Sequence, residues 1–265
     1  MLSSHSRGGK FRPRTPHKTE PLLSDPANES SGETSAASPA DATRALAAEL
    51  AQLDIEVTPD ACAQLAAFAS RLWQWNERLN LTRHADWPSF AARDVMDAWQ
   101  LARRLEPAER VLDLGTGGGL PGVPIAILRA DLQVTCLDQV GKKARALADI
   151  VTALDLDVDV VNARVQEHLA DAEYETVVVR AVGKLERLLK WVEPHWPRLG
   201  RLLVVKGPSW TDERYVARQK RLLDGLELRR VAGYPMGEHR AESVILQIWP
   251  IETTGVWPLV GLPDA

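Results

Sequence analysis

The stretch best equipped for chemistry is Leu112-Asp113-Leu114-Gly115-Thr116-Gly117-Gly118-Gly119-Leu120-Pro121-Gly122. A short apolar run ends at Leu114 and glycines follow at once, where backbone can take positive φ and approach a ligand closely. Pro121 and Pro124 suit the first turn of a helix. The bend is therefore expected to present backbone N–H groups at a helix N-terminus, beside the carboxyl ends of strands. Gly117 to Gly122 reads G-x-G-x-x-G, but a dinucleotide fingerprint starts directly after its strand, and counting from Gly115 puts Leu120 where its third glycine belongs. Asp113, ahead of the glycines, favours a cationic ligand and disfavours a pyrophosphate. S-adenosylmethionine brings an ammonium, a sulfonium and no phosphate, so Asp113, Gly115 and Gly117 are read as its contacts. The alternative is a tight strand-to-helix turn that holds nothing.

Asp138 closes the next apolar run, where a carboxylate can accept hydrogen bonds from both hydroxyls of a ribose; it can equally cap the helix that follows. After the third run, Asn162-Ala163-Arg164-Val165-Gln166-Glu167 is the loop that meets adenine in a methyltransferase sheet, with Val165 and Gln166 as candidates. The fourth run ends at Val179-Arg180-Ala181-Val182, the position that faces a transferred methyl. Arg180 suits phosphate or base binding, or a structural ion pair. No Asn/Asp-Pro-Pro-aromatic motif stands there, and no cysteine follows the fourth or fifth run, which argues against attack on an exocyclic amine or on pyrimidine C5. A ring nitrogen with a free lone pair, such as guanine N7, needs no base, and in-line positioning suffices.

These residues need a scaffold. From Arg110 onward, apolar runs at Val111–Leu114, Val134–Leu137, Val158–Val161, Thr176–Val179, Leu202–Val205, Leu226–Val231 and Ser243–Trp249 alternate with helical stretches such as Lys142–Leu154 and Asp212–Leu223. The last two runs lack a helix-length connection and are expected to pair antiparallel. Five parallel strands ending in an antiparallel hairpin describe an α/β, Rossmann-like, seven-stranded class I methyltransferase sheet. Residues 106–250 form that domain in this reading. Residues 43–105 form an N-terminal helical cap, with helices from Thr43, from Thr58-Pro59-Asp60 and over Ser89 to Leu105. Residues 1–42 read as a disordered tail, either solvated or an RNA-contacting arm, or as the product of a misassigned start. Residues 251–265 read as a loose C-terminal tail.

The chain has 265 residues, 45% hydrophobic, with a formal net charge of -4. That charge counts mildly against nucleic acid, yet a local basic face remains compatible with it. Lys184, Arg187 and Lys206 lie in basic clusters that follow the fourth and fifth strands, and are read either as RNA contacts at one mouth or as solvated helix faces. Two cysteines, Cys62 and Cys136, give neither a disulfide framework nor a metal site. With no apolar run of membrane length and no secretory signal, the expectation is a cytoplasmic, monomeric protein without a membrane partner.

Asn76-Glu77-Arg78-Leu79-Asn80-Leu81-Thr82, the Asp113–Gly122 turn, Arg180-Ala181-Val182 and Lys206-Gly207 together resemble the RsmG (glucose-inhibited division protein B) family. The resemblance runs from about Leu50 to Ile248. It implies methylation of guanine N7 in the 530 loop of 16S ribosomal RNA, with the small subunit as partner. It also implies cofactor contacts by Gly115, Leu120, Val165, Gln166 and Arg180, with Asp138 near the ribose and Arg180 at the reaction centre. Departures are Asp94-Val95-Met96-Asp97-Ala98 for a family His-x-x-Asp-Ser, Gln166 for Glu, Val179 for Ser, and His239-Arg240 in reversed order. Rival readings are a nicotinamide-linked oxidoreductase, a non-catalytic rRNA-binding assembly factor, and a methyltransferase for another RNA or a small molecule.

Overall fold

The computed structural model describes residues 38–236 and 239–252. The tail readings for residues 1–37 and 253–265 fall outside them, as do the side chains of His239 and Arg240. The chain opens with α1 (Pro39–Gln52) and α2 (Pro59–Asn76). Each starts on a proline behind a hydroxyl cap: Ser38 accepts from the Asp41 N–H and Thr58 from the Ala61 N–H. The Ser38-Pro39 cap moves the first helix four residues ahead of the Thr43 start that its leucines suggest. A short α3 (Trp87–Ser89), a π-helical stretch (Phe90–Val95) and α4 (Met96–Ala102) follow as one run. Asp86 Oδ1 starts it, accepting from the Ser89 N–H at 2.8 Å.

The rest alternates: β1 (Arg110–Leu114), α5 (Gly122–Leu128), β2 (Gln133–Leu137), α6 (Gly141–Ala153), β3 (Val158–Val161), α7 (Val165–His168), β4 (Tyr174–Arg180), α8 (Leu185–Val192), β5 (Leu199–Lys206), α9 (Trp210–Gln219), β6 (Leu226–Met236) and β7 (His239–Pro250). The seven strands lie in the order β3-β2-β1-β4-β5-β7-β6. Strands β1 to β5 are parallel, and β7 runs antiparallel to both β5 and β6. The expected hairpin is present, and β1 and β4 flank the point where the strand order reverses, the usual ligand crevice of an open α/β sheet.

Successive strand residues feed opposite faces. Val111, Val134, Val178 and Leu203 join a core that also holds Leu46, Leu65, Phe68 and Leu101 from the N-terminal helices. Leu112, Val177, Leu202 and Val204 pack on the other side with Leu185, Leu188 and Ala217 of α8 and α9. The N-terminal helices thus share the core of the sheet and roof one of its faces. At the amino ends of the strands, fully buried Arg201 holds Glu109 Oε1 at 2.9 Å and donates to Thr176 Oγ1 and the Arg104 carbonyl. The sequence reading did not single out this cluster.

Candidate active site

The glycine turn lies at the carboxyl end of β1. Gly115, Gly117 and Gly119 take φ of +75°, +60° and +89°, a region open to glycine and strained for other residues. Asp113 organises the turn from below. Its Oδ2 accepts from the Thr116 hydroxyl at 2.6 Å and from the Gly122 N–H at 2.8 Å. Its Oδ1 is sealed off without a partner, and burial pushes the carboxyl up to about 6. Gly122 permits this approach: a Cβ there would stand 2.7 Å from Cys136 Sγ and 2.8 Å from Asp113 Cβ.

Asp138 performs the matching task from β2. Its Oδ2 accepts from the Gly117 N–H at 2.9 Å and its Oδ1 from the Val140 N–H at 2.7 Å, while Asn162 donates to its carbonyl. The helix it precedes has Val140 at the cap position, so Asp138 braces the turn rather than capping α6. The remaining N–H groups of the bend are engaged as well, except that of Gly118, for which the described residues offer no partner. Those of Gly115 and Thr116 donate to the Leu137 carbonyl, and those of Gly119 and Leu120 to the Thr116 carbonyl. The expectation that the turn offers several free N–H groups to a ligand is therefore corrected: its own carboxylates and carbonyls take all but that of Gly118, which lines the larger cavity.

Two cavities open at the crevice, of about 570 and 400 Å³, and Gly115 and Ala181 line both. The larger is bounded by Gly117, Leu120, Arg180 and Lys206, under the loop 80–84 and beside Asp94 and Asp97. The smaller is bounded by Asp138, Val140, Val165, Gln166 and Trp191, with Arg187 stacked 4.5 Å from the Trp191 ring. Nearly all the residues picked from sequence thus converge on one two-chambered cleft. Asp113 does not: it is 1% exposed and lines neither chamber. The reading that its carboxylate meets the ligand is corrected, because the strand pleat and Gly122 turn it into the base of the bend. Lys184 is exposed ahead of α8 and lines neither chamber, and Arg187 borders the smaller one.

Arg180 sits in an ion-pair network that the sequence left open. Its Nη1 lies 2.6 Å from Asp94 Oδ1 and 3.1 Å from Asp97 Oδ2, and the Tyr234 hydroxyl donates to Asp97 Oδ1 at 2.8 Å. Burial works against the guanidinium charge, yet the two carboxylates outweigh it and raise its pKa. Burial pushes the Asp97 carboxyl up, opposed by Arg180. Tyr234, from β6, was missed; no local motif marks it. Lys206 is latched, its Nζ on the Gly183 carbonyl at 2.6 Å and on Glu213 Oε2 at 2.7 Å. Asn76 Oδ1 accepts from the Leu81 and Thr82 N–H groups, so the first asparagine of the Asn76–Thr82 element pins the loop that roofs the larger chamber.

The chamber walls carry both signs: the Asp94, Asp97 and Asp138 carboxylates suit a cationic group, and basic side chains line the larger chamber beside the first two. A Cβ built on Gly117 would meet nothing within 4 Å, so backbone forms the open wall there.

Comparison with known proteins agrees in kind. Residues 61–240 match the GidB family model, described as rRNA small subunit methyltransferase G. A Rhodopirellula baltica protein named ribosomal RNA small subunit methyltransferase G is 47% identical over 188 residues, covering 71% of this chain and 81% of its own. A Roseiflexus sp. protein of the same name is 35% identical over 211 residues, covering 76% and 88%. Among solved structures, WbdD in complex with a kinase inhibitor superposes with a TM-score of 0.51 at 12% identity, over 67% of this chain and 47% of that one, a likeness of fold alone.

Proposed function

The chain belongs to the rRNA small subunit methyltransferase G family, and from that premise we propose that it methylates N7 of a guanine in the 530 loop of 16S rRNA, using S-adenosylmethionine. The observation that carries the cofactor reading is the engaged glycine turn. A pyrophosphate needs several free backbone N–H groups, and here Asp113, Asp138 and two carbonyls hold all but that of Gly118. That disfavours a nicotinamide-linked oxidoreductase.

When bound, the sulfonium supplies an electrophilic methyl that a ring-nitrogen lone pair can take directly. The smaller chamber suits the nucleoside: each Asp138 oxygen keeps a lone pair for a ribose hydroxyl, and Val140, Val165 and Trp191 offer apolar surface to adenine. The larger suits the amino-acid end and the incoming base. Gly115, Gly117, Leu120 and Arg180 line it, and Arg180 keeps donors beyond the Nη1 that holds Asp94 and Asp97. The meeting of both chambers at Gly115 and Ala181 gives the methyl a short path. The chain's work is positioning, with the 43–105 helices as roof and the 106–250 sheet as floor. Action as a cytoplasmic monomer belongs to the same proposal; among the described residues no helix is long and apolar enough to cross a membrane.

Mass spectrometry of rRNA nucleosides tests the reading. A deletion strain is expected to lose one 7-methylguanosine from 16S rRNA, restored by the wild-type gene. Unchanged modification overturns it and favours an assembly role or another substrate.

A further inference from the structure

The larger chamber carries basic residues that the sequence analysis did not pick. Arg83 and His84 come from the loop that Asn76 pins, Arg93 from the π-helical stretch and Lys143 from the first turn of α6. Arg83 is exposed, while Arg93 and Lys143 are half-buried in the chamber wall. Among the described residues none of these three has an ion-pair or hydrogen-bond partner for its charged group. Of the cations chosen from sequence, Lys206 is held by Glu213 and Arg180 by Asp94 and Asp97. Lys184 and Arg187 have no carboxylate partner among the described residues either, but neither lines the larger chamber, and Arg187 lies against the Trp191 ring. Half-burial takes water from a charge and leaves it in want of a counter-ion. Cations from three separate elements converging on one cavity mouth, each without a carboxylate, are built to receive anions.

We propose that Arg83, Arg93 and Lys143 form the phosphate-binding rim of the RNA substrate. The strand enters over the N-terminal roof rather than over the α8–α9 side where Lys184 and Lys206 lie. This rests on the methyltransferase reading and adds the path by which RNA reaches the site. The anion chemistry has a second source, the carboxylate of the cofactor's amino-acid end, and the experiment separates the two.

Filter binding of an in vitro transcript carrying the 530 loop is measured against salt for wild type, Arg83→Glu/Arg93→Glu and Arg198→Glu. Arg198 pairs with Glu173 at the amino end of the sheet, away from the cleft. Each lost phosphate contact lowers the slope of log K on log salt by about 0.7–0.9. The double variant is expected to lose a slope of about 1.5 and roughly thirtyfold in affinity at 0.1 M salt, with S-adenosylhomocysteine affinity within about twofold of wild type by calorimetry. The exposed single variant Arg83→Gln gives half the slope change if the double variant melts early. RNA affinity and slope equal to those of Arg198→Glu overturn the rim. So does a parallel loss of S-adenosylhomocysteine binding, which would give the cations to the cofactor carboxylate. Wild-type protein that neither binds nor methylates the transcript defeats the parent reading instead.

Discussion

Asp113→Asn isolates the group on which the turn is built. The carboxyl is fully buried and pushed up from 3.8 to about 6, with burial outweighing the bonds from Thr116 and Gly122. The folded state therefore holds this proton more tightly than the unfolded chain does. Its stability contribution is complete below about pH 4 and is lost as pH rises through about 6. A shift of about two units corresponds to about 3 kcal/mol in all, of which about 1.5 kcal/mol falls between pH 5 and 7.5. Asparagine can still accept both bonds through its carbonyl oxygen. Its amide nitrogen then occupies the sealed side where Oδ1 has no partner, a penalty of about 1–3 kcal/mol that does not vary with pH. The informative quantity is thus the difference between the proteins. Urea unfolding followed by tryptophan fluorescence at half-unit pH steps should show wild type losing about 1.5 kcal/mol relative to Asp113→Asn from pH 5 to 7.5. Parallel curves would refute a buried, proton-retaining Asp113.

Two glycines of one turn should respond in opposite ways. Gly122→Ala drives a Cβ to within 2.8 Å of Cys136 and Asp113 and should cost about 2–4 kcal/mol in chemical denaturation. Gly117→Ala meets nothing within 4 Å, should cost only about 1 kcal/mol of backbone strain, and should weaken cofactor binding in calorimetry. Arg201→Met strands Glu109 without its buried partner, for about 3–5 kcal/mol and a melting point lower by on the order of 10 °C in calorimetric scans. Tyr234→Phe removes the hydroxyl from Asp97 and loosens Arg180; kcat/KM should fall about threefold to tenfold, with stability changed by about 1 kcal/mol.

The position and order of the strands were legible because parallel strands covered on both faces read as apolar runs, although β5, β6 and β7 extend several residues beyond the runs that marked them. Leu199–Lys206 is buried at every position but its last, yet Gly200 and Arg201 interrupt its apolar pattern, so only Leu202–Val205 stood out in the sequence. The glycine turn was legible because positive φ restricts residue choice. Side-chain direction was not. That Asp113 ends a strand is plain from its neighbours, but the way its carboxylate turns depends on Gly122, whose missing Cβ makes room beneath the bend. The third glycine of the literal G-x-G-x-x-G was therefore a signal for a brace, not for a phosphate. Pairings across the fold were least legible. Tyr234 and Asp97 lie 137 residues apart, and no local pattern links β6 to α4. Lys206 looked free because its partner Glu213 belongs to the next helix.

Charge placement, not net charge, reconciles an acidic chain with an RNA substrate. Methylating N7 moves a positive charge from sulfur to purine, so the interior of the site must tolerate a cation throughout while its rim attracts phosphate. The buried pair Asp94 and Asp97 faces the single guanidinium of Arg180, an excess of one negative charge within that network, while Arg83, Arg93 and Lys143 line the same chamber without ion-pair partners among the described residues. Asp94 supplies one of those two carboxylates. Unit charges about 10–15 Å apart at an effective dielectric of about 20 interact by about 1 kcal/mol, or about fivefold in affinity. Asp94→Asn should therefore weaken S-adenosylmethionine binding about fivefold more than it weakens S-adenosylhomocysteine, whose thioether is neutral. Damage to the shape of the pocket would lower both alike, so an unchanged ratio of the two affinities would refute an electrostatic role for Asp94.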